Sequence, residues 1–316
     1  MAVETVLITG GLGCLGGGLA RYLVDKGYRV IIGSSRTKAQ LPDDLKQCSL
    51  VYTNFDNLET LNKACSEVSC IIHLATVNAQ QSALDPELAK RVNSIGTANL
   101  IQAGIKNKIS YFLYFSTAHV YGSPLIGQID ESTKSRPSNP YALTHKFAED
   151  FIVNAISDGA INGNIIRLSN SIGLPLVTKA NCWTLFVNDV CKQAITDRRI
   201  RIHSNPNNER DFIPMNSVYE IAEYFLSNRI TASQPVFNVG SGTSYTLLQV
   251  AEIIASRCKV LFGYSPQIVC TEKSLAKSLK LKYKVDKLTA EMKYITNNDL
   301  KPAIDEILKF CQAELH

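Results

Sequence analysis

The segment Thr9-Gly10-Gly11-Leu12-Gly13-Cys14-Leu15-Gly16 has the residue types and spacing of a phosphate-binding turn. An apolar run from Val6 to Ile8 feeds it, and a helical pattern with Leu19, Leu23 and Val24 leaves it, so the glycines fall where a strand turns into a helix. Without β-carbons at Gly10, Gly13 and Gly16, backbone can approach a pyrophosphate and the helix can pack close to the strand. The helix N-terminus adds unpaired N–H groups and a partial positive charge, so Gly10, Gly13, Cys14, Leu15 and Gly16 are the expected cradle of a dinucleotide. A second group lies further on. A run from Tyr111 leads into Ser116-Thr117, and Asn139-Pro140-Tyr141-Ala142-Leu143-Thr144-His145-Lys146 opens a helix soon after, so a hydroxyl and a phenol can meet above the carboxyl edge of a sheet.

The elements that must hold these residues alternate. Strand-like runs at Thr5 to Ile8, Arg29 to Ile32, Leu50 to Tyr52, Cys70 to Leu74, Tyr111 to Ser116 and Asn164 to Leu168 are interleaved with helical patterns. Two of the helix starts, Asp85-Pro86 and Asn139-Pro140, pair an N-cap with proline at the first helical position. Such alternation predicts an α/β fold: a doubly wound parallel sheet, Rossmann-like, over residues 1–171, with later segments returning to it. After about Ile172 the pattern becomes irregular, with a loop from Ser204 to Arg210, a strand at Val236 to Val239 and a helix opened by the capping box Thr246-Leu247-Leu248-Gln249. Residues 172–316 are therefore expected to form mainly a smaller C-terminal α/β lobe that binds substrate.

Composition narrows the class. The chain has 316 residues, of which 45% are hydrophobic and 19% charged, as in a globular enzyme. Its net charge of +5 is spread along the chain without a basic block, which argues against nucleic acid as a partner. No run approaches a membrane-spanning length and no cleavable leader pattern opens the chain, so a cytoplasmic protein is expected. Nine cysteines with no Cys-x-x-Cys pair suggest neither a disulfide framework nor a metal site.

With the Gly-x-x-Gly-x-x-Gly turn, the Tyr141 helix and the segment Phe237-Asn238-Val239-Gly240-Ser241-Gly242, nearly the whole chain resembles the extended short-chain dehydrogenase/reductases, the NAD(P)-dependent nucleotide-sugar epimerases, dehydratases and reductases. The resemblance implies a catalytic set of Thr117, Tyr141 and His145: Tyr141 as acid or base at the sugar oxygen, Thr117 hydrogen-bonding that oxygen, and the third residue lowering the tyrosine pKa. The family has lysine at that third position. Four helical steps from Tyr141 return to within about 40° of its face, whereas the five steps to Lys146 land about 140° away, so His145 is a substitution and Lys146 points elsewhere. By the resemblance His145, neutral or protonated, would bond the nicotinamide ribose and supply some positive charge near Tyr141.

The second strand ends in Ser34-Ser35-Arg36, where family members that use NAD carry an acid that binds the ribose hydroxyls. Serines and an arginine there can donate to a 2′-phosphate, which favours NADP over NAD. The resemblance also implies that Asp56 and Asn57 meet the adenine end, that Leu74 and Ala75 line the cofactor, and that Asn93 sits near the active centre. Asn170 and Arg210 fall where relatives touch the nucleotide diphosphate.

Relatives that dehydrate the sugar carry Thr-Asp-Glu where this chain has Thr117-Ala118-His119. The expected function is therefore NADPH-dependent reduction of a nucleoside-diphosphate keto-sugar, with nucleotide-sugar 4-epimerisation or a non-catalytic NADP-binding scaffold as alternatives. A homodimer is expected through the Tyr141 helix and the helix before the central strand, with Leu100, Phe147 and Phe151 at the contact.

Overall fold

The computed structural model describes residues 4–177, 180–231, 234–270, 278–293 and 299–315. Seven parallel strands form the main sheet, in the order Val236–Val239, Gly163–Leu168, Tyr111–Thr117, Cys70–His73, Thr5–Thr9, Arg29–Ser34 and Ser49–Tyr52. Continuous apolar runs suit strands covered on both faces. Every residue of Thr5–Thr9 and of Tyr111–Thr117 is accordingly buried. The Val236–Val239 strand is the edge of this sheet, beside Gly163–Leu168, not an element of the smaller lobe as its position after Ile172 suggested.

Helices Gly16–Asp25 and Met215–Asn228 close one face of the sheet, packing Leu19, Leu23, Val218 and Phe225 against Ile8, Ile32 and Leu113. Helices Leu58–Cys65, Gly96–Lys106 and Pro140–Ser157 close the other with Leu61, Leu100 and Ile152. Leu100, expected on an exposed contact face, is wholly buried in this layer, because Gly96–Lys106 turns that side to the sheet. A separate core joins helices Phe186–Thr196, Leu247–Phe262 and Leu300–Glu314 to the paired strands Arg199–Ile202 and Gln267–Cys270. The short strands Asn170–Ile172, Glu209–Pro214 and Ser244–Thr246 join into a three-stranded sheet.

Strand order reverses between Thr5–Thr9 and Cys70–His73, and the crevice at such a reversal is where doubly wound sheets bind ligands. The carboxyl ends at that crevice are Thr9, His73 and, one strand further, Thr117. Among the described residues no helix is long and apolar enough to cross a membrane.

Candidate active site

The glycine turn has the shape its sequence requires. Gly10 has φ +72°, and a β-carbon there would lie 2.7 Å from the Ala75 nitrogen and 2.9 Å from the Leu74 carbonyl carbon. Only glycine fits. A β-carbon on Gly16 would sit 2.6 Å from the Gly11 Cα, and one on Gly13 would sit 3.0 Å from the Gly10 oxygen. No side chain caps the helix that begins at Gly16, so its first N–H groups remain donors without a side-chain acceptor. A pyrophosphate fits this cradle in both space and charge. Cys14 packs with its thiol pushed up to about 12 by burial and the nearby Cys182, so it is not a reactive group. Leu74 hydrogen-bonds through its N–H to the Thr9 carbonyl, holding the Leu74-Ala75 segment over the turn.

At the far end of the crevice Ser34 is buried, and its Oγ accepts from the Arg36 N–H at 3.2 Å. Ser35 and Arg36 are exposed. Two residues expected at the adenine end have protein partners of their own. Asp56 turns outward to Arg91, with Nε–Oδ2 at 3.4 Å, and Asn57 caps helix Leu58–Cys65 by accepting from the N–H groups of Glu59 and Thr60. The turn leading to this helix is closed by Asn54, whose Oδ1 accepts from the Asp56 N–H at 3.0 Å.

Asn93, expected near the active centre, is a brace between two of its elements. A π-helical turn, Lys90–Ile95, interrupts the long helix before the central strand and buries this side chain. Its Oδ1 accepts from the Val77 N–H at 2.7 Å, and its Nδ2 donates to Thr144 Oγ1 at 3.1 Å and to the Val77 carbonyl. The amide thus ties the loop after Cys70–His73 to the helix that carries Tyr141. His73 is held similarly. Thr97 Oγ1 gives its proton to the Asn93 carbonyl, so it accepts from His73 Nε2, and Thr9 Oγ1 donates to Nδ1 at 2.6 Å. Burial pushes this imidazole down to about 3, and it stays neutral.

Tyr141 stands in the first turn of Pro140–Ser157, a helix capped by the Asn139 side chain with proline behind it. It lines the same cavity as Thr117, the last residue of the central strand, and burial raises its phenol to about 12. His145 lies one turn later, edge-on to the Tyr141 ring with centroids 4.5 Å apart. Its Nδ1 is 2.7 Å from Tyr114 Oη and its Nε2 is 3.1 Å from Thr76 Oγ1. Because Thr76 donates its own proton to the Val77 carbonyl, it accepts from Nε2–H, which leaves Nδ1 to accept from the Tyr114 hydroxyl.

Burial, helped by His119, pushes His145 down to about 3. The neutral form is thus favoured of the two expected, and both ring nitrogens have protein partners. Lys146 pairs with Asp150 on the outer side of the helix, as its spacing requires. Tyr114 and Thr76 had no signal in the sequence, because each sits in a strand or loop remote from position 145.

A cavity of about 480 Å³ opens above Thr117 and Tyr141, with Leu15, His119, Asn170 and Arg210 on its walls. Arg210 has its guanidinium carbon 5.7 Å from the centre of the Phe186 ring, and burial lowers its pKa. No carboxylate among the described residues forms an ion pair with it, so its charge is available to a ligand phosphate. Asn170 donates through Nδ2 to the Asp211 carbonyl at 2.9 Å.

Beneath the floor, Arg167 grips Glu149 through two bonds of 2.9 and 2.6 Å, and Ser116 Oγ donates to the same carboxylate at 2.6 Å. Glu149 lies eight residues after Tyr141, two helical turns on and near the same face, which is the one sequence cue to this support.

Comparison with known proteins agrees with this architecture. The NAD dependent epimerase/dehydratase family matches residues 6–240. A protein of Arabidopsis thaliana that bears the name of a UDP-arabinose 4-epimerase is 30% identical over 54% of this chain and 42% of its own length. UDP-glucose 4-epimerase of Schizosaccharomyces pombe is 27% identical over 78% of each chain. The chain spans about half the length of the first curated relatives it matches. Among solved structures, UDP-glucose 4-epimerase from Brucella ovis, in complex with NAD, superposes with TM-score 0.83 over 98% of this chain and 99% of its own at 18% identity, which shows a shared fold. On the match over residues 6–240, the chain belongs to the NAD dependent epimerase/dehydratase family.

Proposed function

We propose that this chain is an NADP(H)-dependent reductase of a nucleoside-diphosphate keto-sugar. The observation that carries the reading is the state of Tyr141: on one cavity with Thr117, raised to about 12, and 4.5 Å between ring centres from a neutral His145 in place of a cation. A phenol in that state keeps its proton at neutral pH and is ready to give it to a ketone oxygen. Oxidising an alcohol, the step that opens a 4-epimerisation, needs the phenolate first. Bound nicotinamide supplies the hydride; Tyr141 donates the proton, Thr117 fixes the oxygen, and His145 holds the tyrosine helix to Tyr114 and Thr76. Arg210 and Asn170 suit the substrate diphosphate.

Ser34, Ser35 and Arg36 support NADP, since no carboxylate stands at the end of the second strand to repel a 2′-phosphate. Gly10, Gly13, Cys14, Leu15 and Gly16 would hold the pyrophosphate through backbone, with Leu74 and Ala75 beside it. We assign the cofactor to residues 1–171 with the returning Val236–Val239 strand, and the substrate mainly to 172–316. The second reading, a 4-epimerase, is favoured by relatives that bear UDP-sugar 4-epimerase names. NADPH oxidation with a UDP-linked 4-keto-hexose tests the proposal; interconversion of UDP-hexoses without net cofactor use would favour the second reading.

The partner is a second copy of this chain. Leu143, Phe147 and Phe151 repeat every four residues along Pro140–Ser157 and are 42%, 49% and 46% exposed, an apolar stripe suited to a two-fold helix pairing. All nine cysteines are free, which supports a cytoplasmic setting.

A further inference from the structure

A second cavity, of about 650 Å³, is bounded by helices Gly16–Asp25, Met215–Asn228 and Leu300–Glu314 and by residues 172–176. Neither Thr117 nor Tyr141 lines it, and the reduction gives it no role. Tyr219 stands on its wall, only 6% exposed, with its ring against Tyr22 at 6.2 Å between centres. The hydroxyl lies over the backbone of Gly18, where a β-carbon would come within 2.2 Å of it. Among the described residues no group hydrogen-bonds this hydroxyl, and it is not sealed off from the cavity. A polar group in that state is an open position for a ligand atom.

The charge of the cavity is negative. Asp25, Glu220, Asp299 and Glu306 line it, and among the described residues Arg21 is the cation on its walls. That cation is spent, because Arg21 Nε donates to the two Asp25 oxygens at 3.0 and 3.1 Å. Lys26 lies on the Tyr22 ring, 5.4 Å from its centre, and does not line the cavity. Asp299 caps helix Leu300–Glu314 by accepting from the Lys301 N–H. Glu220 and Glu306 form no ion pair among the described residues. Burial first, then Cys14 and Glu306, raise the Tyr219 phenol, so it keeps its proton and feels the Glu306 charge.

An anion finds no free cation here, whereas a cation finds two unpaired carboxylates and a hydroxyl oxygen. The carboxylates are spread out: among the described residues no three His, Cys, Asp or Glu side chains come together to hold a metal ion. Between the charged groups the walls carry Leu174, Leu176, Met215 and Ala303. Such a lining suits an extended cation whose charges are joined by methylenes, as in the stem and head of a lysine side chain.

We propose that this cavity binds a linear aliphatic polyamine, whose ammonium groups donate to Glu220, Glu306 and the Tyr219 oxygen while its methylenes lie on Leu174, Leu176 and Ala303. The site is separate from the substrate cavity and does not depend on the keto-sugar reading.

Calorimetric titration of the unmodified protein with spermidine, at low ionic strength, tests the proposal. Binding should saturate and should raise the thermal midpoint. Glu220→Gln and Glu306→Gln should each weaken it about 10-fold or more, and Tyr219→Phe about 3-fold or more. Ala303→Phe fills the cavity and should abolish it. Glu252, an exposed carboxylate on another helix, is the control, and Glu252→Gln should bind as the unmodified protein does. Thermal melting and NADPH titration without spermidine show that each variant is folded.

No saturable binding, equal affinity in folded Glu220→Gln and Glu306→Gln, or an equal loss in Glu252→Gln overturns the inference. Magnesium chloride binding at the same residues with equal strength also overturns it, since a mere cluster of charge would then suffice. None of these measurements uses a keto-sugar, so failure of the reductase leaves the site standing, and failure of the site leaves the reductase.

Discussion

Tyr114 Oη lies 2.7 Å from His145 Nδ1, and this bond joins the central strand to the helix that carries the Tyr141 phenol. A lysine at position 145 would bring a charge to Tyr141; this imidazole brings an anchor. Tyr114→Phe removes the donor and leaves Nδ1 buried without a partner, which should destabilise the fold by about 1–3 kcal/mol. Thermal melting of the variant checks this, and an unchanged midpoint would show the bond to be dispensable.

His145→Lys puts an ammonium beside Tyr141 and should pull the phenol down, since a nearby positive charge favours phenolate. The pH profile of NADPH oxidation should then lose its alkaline limb earlier than in the unmodified protein. Alcohol oxidation by NADP should gain relative to reduction. Profiles that coincide would mean that position 145 does not govern Tyr141.

Stability should fall in mild acid. His73 and His145 titrate near 3 in the folded chain and at 6.5 when free. Above 6.5 neither state binds the proton and their stabilisation is complete. As pH falls from there towards 3, only the unfolded chain takes up protons, so stability drops by about 1.4 kcal/mol per pH unit for each histidine. Urea melts across this window measure the slope; a flat profile would contradict the burial of both rings.

Arg36→Ala should weaken NADP(H) binding about 10-fold or more and leave NAD(H) nearly unchanged, because the guanidinium is assigned to the 2′-phosphate alone. Fluorescence titration with both cofactors decides it. Tighter NAD binding by the unmodified protein would overturn the NADP assignment.

Much of the site was legible because its signals are local. The glycine turn, the Asn139-Pro140 cap before Tyr141 and the outward turn of Lys146 all follow from spacing within one or two helical turns. Long-range pairings were not legible. His145 meets Tyr114 and Thr76 at separations of 31 and 69 residues, and burial, which sequence does not reveal, makes it neutral. Asp56, Asn57 and Asn93 have protein partners that the sequence did not reveal, for a related reason. Short polar side chains serve caps, ion pairs and braces as readily as ligands, and the π-helical turn that points Asn93 inward has no sequence mark. The Val236–Val239 strand lies within the stretch grouped as the lobe, yet hydrogen bonding returns it to the main sheet.

The central claim is that Tyr141 gives its proton to a ketone as NADPH delivers hydride. The most direct measurement is NADPH oxidation with a UDP-linked 4-keto-hexose by the unmodified protein and by Tyr141→Phe, with NADPH affinity measured in both. Turnover should be present in the first and fall by at least about 100-fold in the second, with cofactor affinity unchanged. No turnover by the unmodified protein would contradict it and leave a cofactor-binding scaffold as the better description, and turnover that survives Tyr141→Phe would contradict the role given to that phenol.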